Sequence, residues 1–249
     1  MGKLKNRVAV ITGGSRGIGK GIAIAYANEG AHIAFTYRSN KEEADKTAKE
    51  LESYGVKALP IQADMGEQQQ IINMAHQIKE VFGAIHIIVN NAGTIGKEYP
   101  LVDMPVEEWD KLMNVDLRGV FLTTKYLLPL MNKDMVGKII NVSSELSLKG
   151  RANFTHYTAA KGGINSLTKS LALELAPNIL VNTLAPGPVE TDMILSDMDE
   201  EWIEKEKDVP LKRLGTVEEM AATALLLASD DGNYFCGQTI SPNGGAAFL

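Results

Sequence analysis

Seven short runs rich in β-branched residues alternate with six longer amphipathic stretches, from the first residues nearly to the last. The strand-like runs fall at 8–12, 31–37, 56–62, 85–90, 137–143, 180–185 and 238–241, and the helix-like stretches at 17–29, 41–54, 67–82, 105–131, 157–176 and 217–229. Several of the short runs are apolar throughout, as expected of strands covered by helices on both faces. Pro105 suits a first helical turn, and Thr216 with Glu219 three residues on reads as a helix start. Strand and helix in alternation, joined by right-handed crossovers, predict an α/β fold: a doubly wound, seven-stranded parallel sheet of the Rossmann type. No Pro/Gly/Ser linker, low-complexity tract or repeat divides the chain, so residues 1–249 read as a single domain.

The first strand runs straight into Thr12-Gly13-Gly14-Ser15-Arg16-Gly17-Ile18-Gly19 and then a helix. Glycines in that position permit a tight turn, let backbone approach a pyrophosphate, and leave a helix N-terminus directed at the anion. Glycine clusters also make ordinary loops; the position between strand one and helix one favours the dinucleotide reading. About 20 residues on, an acidic side chain would take the ribose hydroxyls of NAD, and a basic one would tolerate the extra phosphate of NADP. Here the chain reads Thr36-Tyr37-Arg38-Ser39-Asn40, with no carboxylate before Glu42. Arg16 and Arg38 are suited to clamp a 2′-phosphate, the alternative being two solvated surface arginines. NADP(H) is therefore the preferred cofactor, with NAD(H) possible.

Charge and cysteine content narrow the function classes. With 25 Lys+Arg against 31 Asp+Glu the formal net charge is −6, so no global positive field exists to hold a nucleic acid. The single cysteine, Cys236, forms no intrachain disulfide, and His32, His76, His86 and His156 lack metal-ligand spacing. No apolar segment approaches the roughly 18 residues of a membrane span, and no signal peptide precedes the first strand, so the expected location is the cytoplasm.

Further motifs follow in order: Asn90-Asn91-Ala92-Gly93, Asn114 in a long helix, Ser143-Ser144, Tyr157-Thr-Ala-Ala-Lys161, and Pro186-Gly187. With these the chain resembles the short-chain dehydrogenase/reductase family over essentially its whole length. It is most similar to the 3-oxoacyl-acyl-carrier-protein reductases, through TGGSRGIG, NNAG, YTAAKGG, SLTKSLALEL and APGPVETDM. The resemblance implies a catalytic set of Asn114, Ser144, Tyr157 and Lys161, in which Tyr157 donates the proton. A tyrosine exchanging protons near neutral pH must shift down from about 10, and an ammonium one helical turn away acts in that direction. Lys161 is also implied to hold the nicotinamide ribose, and Ser144, with Ser143 as competitor, to hydrogen-bond the carbonyl oxygen. Asn114 is implied to anchor a water relaying protons to Lys161; its alternative is a buried asparagine at a helix kink.

The same resemblance gives the cofactor contacts. Gly13, Ser15, Arg16, Gly17, Ile18 and Gly19 hold the pyrophosphate end, and Arg38 and Ser39 the adenosine phosphate. Asp64 with Met65 meets adenine, the ordinary alternative for Asp64 being a helix N-cap. The segment Asn90 to Gly93, with Asn90, Ala92 and Gly93 as its cofactor contacts, braces the sheet and meets the adenosine ribose; Pro186, Gly187, Val189 and Thr191 bound the nicotinamide, beside Tyr157 and Lys161. Trp109, Trp202 and the methionines from Met193 to Met198 read as packing and a substrate lid.

The expected reaction is NADPH-dependent reduction of a ketone or 3-oxoacyl thioester to the alcohol. The alternatives are an NAD(P)-dependent dehydrogenase of a small alcohol or polyol, and a non-catalytic dinucleotide-binding sensor. The three residues between Tyr157 and Lys161 suit carbonyl reduction, whereas enoyl reductases that resemble this family use a longer interval. The chain departs from the look-alike reductases at Met135 and Asn178, where basic carrier-docking residues are expected, and at Glu145 and Asn243. Lys125, Lys133 and Lys138 are the remaining candidates for docking charge. Phe121, Leu122, Tyr126, Leu127, Leu167, Leu171 and Leu175 exceed what one sheet-packed face needs, which predicts a homotetramer paired through the two long helices and the last strand.

Overall fold

Runs of β-branched and aliphatic residues form strands because their stiff side chains fill a pleated surface covered on both sides. In the computed structural model, which describes residues 2–191 and 200–248, they build β1 (Val8–Ile11), β2 (His32–Tyr37), β3 (Ala58–Gln62), β4 (Ile87–Asn90), β5 (Gly137–Val142), β6 (Ile179–Leu184) and β7 (Thr239–Ile240). All pair in parallel in the order β3-β2-β1-β4-β5-β6-β7, the doubly wound arrangement the alternation predicts. The order reverses between β1 and β4, which opens a crevice at the strands' carboxyl ends.

Helices α1 (Gly17–Asn28), α2 (Lys41–Glu52) and α3 (Gln68–Phe82) fall on the first three expected stretches. The fourth is not one regular helix. It divides into α4 (Val106–Met113), a π-helical turn (Asn114–Arg118) and α5 (Gly119–Leu127), succeeded by a short 3₁₀ turn at Leu128–Leu130. A π-helical turn adds a residue to the helix circuit and rotates the next turns relative to the preceding ones, a device common at functional sites. Next come α6 (Leu146–Lys149), α7 (Thr155–Leu175), α8 (Glu200–Glu206) and α9 (Val217–Ala228). At the start of α9, Thr216 Oγ1 accepts from the Glu219 amide and Glu219 reaches back to the Thr216 amide, as the spacing predicts. Two apolar clusters cover the faces of the sheet, one joining β1 and β2 to α1, α2 and α9, the other reaching α3, α5 and α7. No helix among the described residues is long and apolar enough to cross a membrane.

A polar chain runs through this apolar interior. Asn90 Nδ2 donates to Thr124 Oγ1 at 3.1 Å and to Asn141 Oδ1 at 2.7 Å. Asn141 Nδ2 donates to Thr168 Oγ1 at 2.9 Å, and Thr183 Oγ1 donates to the same hydroxyl at 2.8 Å. All five residues are buried, so the chain ties β4, β5 and β6 to α5 and α7 from within.

Candidate active site

The glycine-rich turn is fastened on two sides. The amides of Asn91 and Ala92 both donate to Thr12 Oγ1 at 3.0 Å, and Asn91 Nδ2 donates to the carbonyls of Thr12 and Gly13 at 2.9 and 3.1 Å. From β2, Thr36 Oγ1 accepts the Gly13 amide at 3.0 Å. Gly13 has φ +66°, and a Cβ there would meet Ala92 Cα at 3.1 Å, so the turn and the segment after β4 require each other. Asn91, in the segment expected to brace the sheet, is thus tied to the turn through Thr12 and Gly13. Helix α1 opens with Arg16 as its N-cap, with no side-chain cap bond and no acidic residue in its first turn. The first turn of α1 thus supplies no counter-charge to its positive end. Thr191 is brought against Gly17, so the 186–191 segment and the turn lie together. The Pro186 carbonyl accepts the Glu145 amide at 2.9 Å, Gly187 donates to the Pro242 carbonyl at 3.1 Å, and Val189 is buried and bridges to Gly215.

Arg16, Arg38 and Ser39 are exposed at the turn and the end of β2. Among the described residues neither guanidinium has an ion-pair partner, while the first carboxylates after Arg38 in the sequence are engaged elsewhere, Glu42 with Lys46 at 2.8 Å and Glu43 with Lys20 at 3.6 Å. Ser15 is buried and its carbonyl accepts the Thr47 hydroxyl at 3.2 Å, while Ile18 packs on the core. Asp64 is not a helix cap: its Oδ1 accepts the Gly66 amide at 2.9 Å, and Glu67 is the N-cap residue of α3. Met65 is buried, its sulfur 3.8 Å from the Thr123 hydroxyl, which makes its side chain a packing element. Asn90 is likewise committed to the interior polar chain.

Ser144, Tyr157 and Lys161 converge where β5 and the first turns of α7 meet. Lys161 Nζ lies 5.6 Å from the centre of the Tyr157 ring and donates to the Val142 carbonyl at 3.3 Å. Ser143 and Ser144 differ in what they touch. Ser143 Oγ is bound to the Lys161 carbonyl at 2.9 Å, whereas the Ser144 hydroxyl acts on the Tyr157 phenol in the direction that favours the phenolate. Ser144 Oγ also donates to Glu145 Oε2 at 3.0 Å. Glu145 is buried, which pushes its carboxyl above the usual range against the pull of Ser144 and of Lys149 at 3.6 Å.

Asn114 is not brought to this group. It is exposed on the outer side of the helix, lining a groove with Met113, Leu117 and Phe121. Two residues on, Asp116 stands where the asparagine is expected. It is fully buried, with Oδ1 accepting the Thr94 amide at 2.9 Å and Oδ2 lying 3.0 Å from Lys161 Nζ. Gly93 makes this possible, because a Cβ there would lie 2.7 Å from Asp116 Oδ2 and 3.1 Å from Lys161 Nζ.

The electrostatics differ accordingly from the expected lowering of Tyr157. Burial disfavours the phenolate, and although Lys161 and Ser144 oppose it, the charges of Asp116 and Glu145 add to it, so the phenol titrates above its ordinary value. Burial also disfavours the Lys161 ammonium, but Asp116 outweighs it together with the Tyr157 charge, and Lys161 is held as a cation. His156 is buried beside Tyr157 with no hydrogen-bond partner on either ring nitrogen, and burial lowers its pKa. The expected lid methionines from Met193 to Met198 lie outside the described residues.

Comparison with known proteins bears on the family. A family model described as enoyl-(acyl carrier protein) reductase matches residues 13–247. The chain is 40% identical to an uncharacterized oxidoreductase, YxbG, of Bacillus subtilis over 98% of its length and 92% of the relative's. It is 37% identical to the 3-oxoacyl-[acyl-carrier-protein] reductase FabG of Staphylococcus epidermidis, covering 96% of this chain and 98% of that one. Among solved structures, a blue fluorescent protein from a metagenomic library, in complex with NADPH, superposes with a TM-score of 0.92 at 35% identity, over 98% of this chain and all of the other. By its sheet order, its Ser144, Tyr157 and Lys161 cluster and these matches across nearly its full length, the chain belongs to the short-chain dehydrogenase/reductase family.

Proposed function

We propose that this oxidoreductase uses NADPH to reduce a ketone or 3-oxoacyl thioester to the alcohol. The observation that carries the reading is the convergence of Ser144, Tyr157 and Lys161 at the crevice beside the glycine-rich turn. The turn fits a dinucleotide: its backbone is pinned, the α1 N-terminus has no side-chain cap, and Arg16 and Arg38, exposed at the turn and at the end of β2, are suited to a 2′-phosphate. The solved relative with NADPH bound supports the same cofactor. When bound, the reduced nicotinamide supplies a hydride to the carbonyl carbon. Tyr157 gives its hydroxyl proton to the carbonyl oxygen, and Ser144, once its hydrogen turns from Glu145, holds that oxygen as negative charge develops. Lys161 steadies the phenol and holds ribose hydroxyls.

Recognition is centred on the carbonyl rather than on a carrier protein. Met135 and Asn178 are exposed but uncharged, and Lys138 is buried in β5 with its ammonium on Asn233 Oδ1 at 2.6 Å, which removes it as a docking residue. Lys125 and Lys133 remain. The chain acts in a reducing compartment as a homotetramer, its long-helix pairing built on a groove of about 530 Å³ between α4–α5 and α7, lined by Met113, Leu117, Phe121 and Leu167. Leu122 and Leu127, expected in that contact, are buried within the subunit instead. The deciding experiment measures kcat/KM for acetoacetyl-CoA, acetoacetyl-acyl-carrier protein, simple ketones and polyols with each cofactor, at low and high salt. Carbonyl turnover with NADPH and little salt-sensitive carrier advantage is expected; oxidation of polyols without carbonyl reduction would overturn the reading.

A further inference from the structure

The Asp116–Lys161 contact sets a buried carboxyl 3.0 Å from the ammonium beside Tyr157. The carboxylate is fully buried, and it occupies the inner side of the π-helical turn. Its environment is closed on every side that bears on it. From α7 come Lys161, Tyr157 and His156; from the segment after β4 comes the Thr94 amide; and Glu108 of α4 acts on His156. Across the cluster, Glu145 is the other carboxyl that bears on Tyr157. Burial works against a charge at either Asp116 or Lys161: it raises the Asp116 carboxyl above its ordinary value against the pull of Lys161, while the carboxylate helps hold Lys161 as a cation.

We propose that Asp116 is a positioning residue that engages the Lys161 ammonium as an ion pair and keeps Tyr157 in its proton-bearing form. The site is thereby set to give a proton in carbonyl reduction across the neutral range, and to take one from an alcohol only in more alkaline solution. This inference rests on the reductase reading. In the reducing direction the hydride pair bonds to the carbonyl carbon, the carbonyl π pair takes the Tyr157 proton, and the phenolate is reprotonated from water. Lys161 keeps its protons throughout. An ammonium fully available to Tyr157 would favour the phenolate; one paired at 3.0 Å with a carboxylate presents a smaller net field. The rise of the Tyr157 pKa is consistent with this placement.

The test is Asp116→Asn, which retains an acceptor for the Thr94 amide and removes only the charge. Tyrosinate absorbance is titrated in wild type and in Asp116→Asn, each against its Tyr157→Phe counterpart, so that one phenol is read without any turnover. The Tyr157 midpoint should fall by about one pH unit on removal of the charge, and the pH profile for alcohol oxidation with NADP⁺ should move the same way. An unchanged or raised midpoint overturns the proposal. Should Asp116→Asn fail to fold, Asp116→Ser is titrated in the same way: a Tyr157 midpoint below that of wild type supports the proposal, and an unchanged or raised one refutes it. A phenol shift without turnover of any carbonyl would sink the reductase reading while leaving the Asp116 coupling in place.

Discussion

Replacing Arg38 by alanine separates the two nicotinamide cofactors. The guanidinium is exposed and has no ion-pair partner among the described residues, so its removal breaks no ion pair in the free protein. Glu42 and Glu43 stay tied to Lys46 and Lys20, and no carboxylate is released toward a ribose. Any loss therefore belongs to the 2′-phosphate. Hydrogen bonds to charged groups contribute about 1.5–3 kcal/mol, and an exposed arginine belongs at the low end, which is roughly a tenfold rise in Kd for NADPH. NADH should bind the variant as it binds wild type. Nicotinamide fluorescence titrations of both proteins with both cofactors, at two salt concentrations, measure this directly, and the NADPH penalty should shrink as salt screens the contact. Equal losses for the two cofactors, or tighter NADH binding by wild type, would refute the assignment of the phosphate to Arg38.

Tyr157→Phe should lower kcat by about 10²- to 10⁴-fold with cofactor affinity nearly intact, because it removes a proton donor and keeps the ring; retention of most of the turnover would exclude this phenol as the acid. Phe121, 47% exposed beside the α4–α7 groove, should tolerate arginine within the subunit but not across a pairing face. Light scattering of Phe121→Arg is expected to give a smaller assembly than wild type, and a monomeric wild type at micromolar concentration would contradict the tetramer.

The fold was legible because its signals are periodic. Apolar runs and amphipathic stretches located β1 to β6 and the main helices within a few residues, and only the long helix misled, since a single inserted residue changes its phase. That phase also explains the catalytic misplacement. Leu112, Asp116 and Val120, spaced by four, are all buried, whereas Asn114 sits two residues from Asp116, about 200° round the helix. Motif matching favoured the amide; tracing the buried stripe would have led to Asp116. Lys138 carried a comparable signal, a lysine inside a run otherwise apolar enough to lie within the sheet, and it is indeed buried there. The short helices α6 and α8, of four and seven residues, offer too few turns for a period to be read.

The interior chain of Asn90, Asn141, Thr168 and Thr183 bears on how such a scaffold diversifies. Thr168 lies on α7 seven residues beyond Lys161, roughly 10 Å along the axis, and it accepts from both β5 and β6. An apolar seam would let a helix slide by a turn at modest cost, but a shifted α7 would strand several buried polar atoms at about 1–3 kcal/mol each. The axial position of Tyr157 and Lys161 is thus anchored from beneath the sheet. The segments after β4, β5 and β6, which rim the crevice, can then exchange side chains and lengths, and with them the molecules admitted, while the reacting groups stay in register.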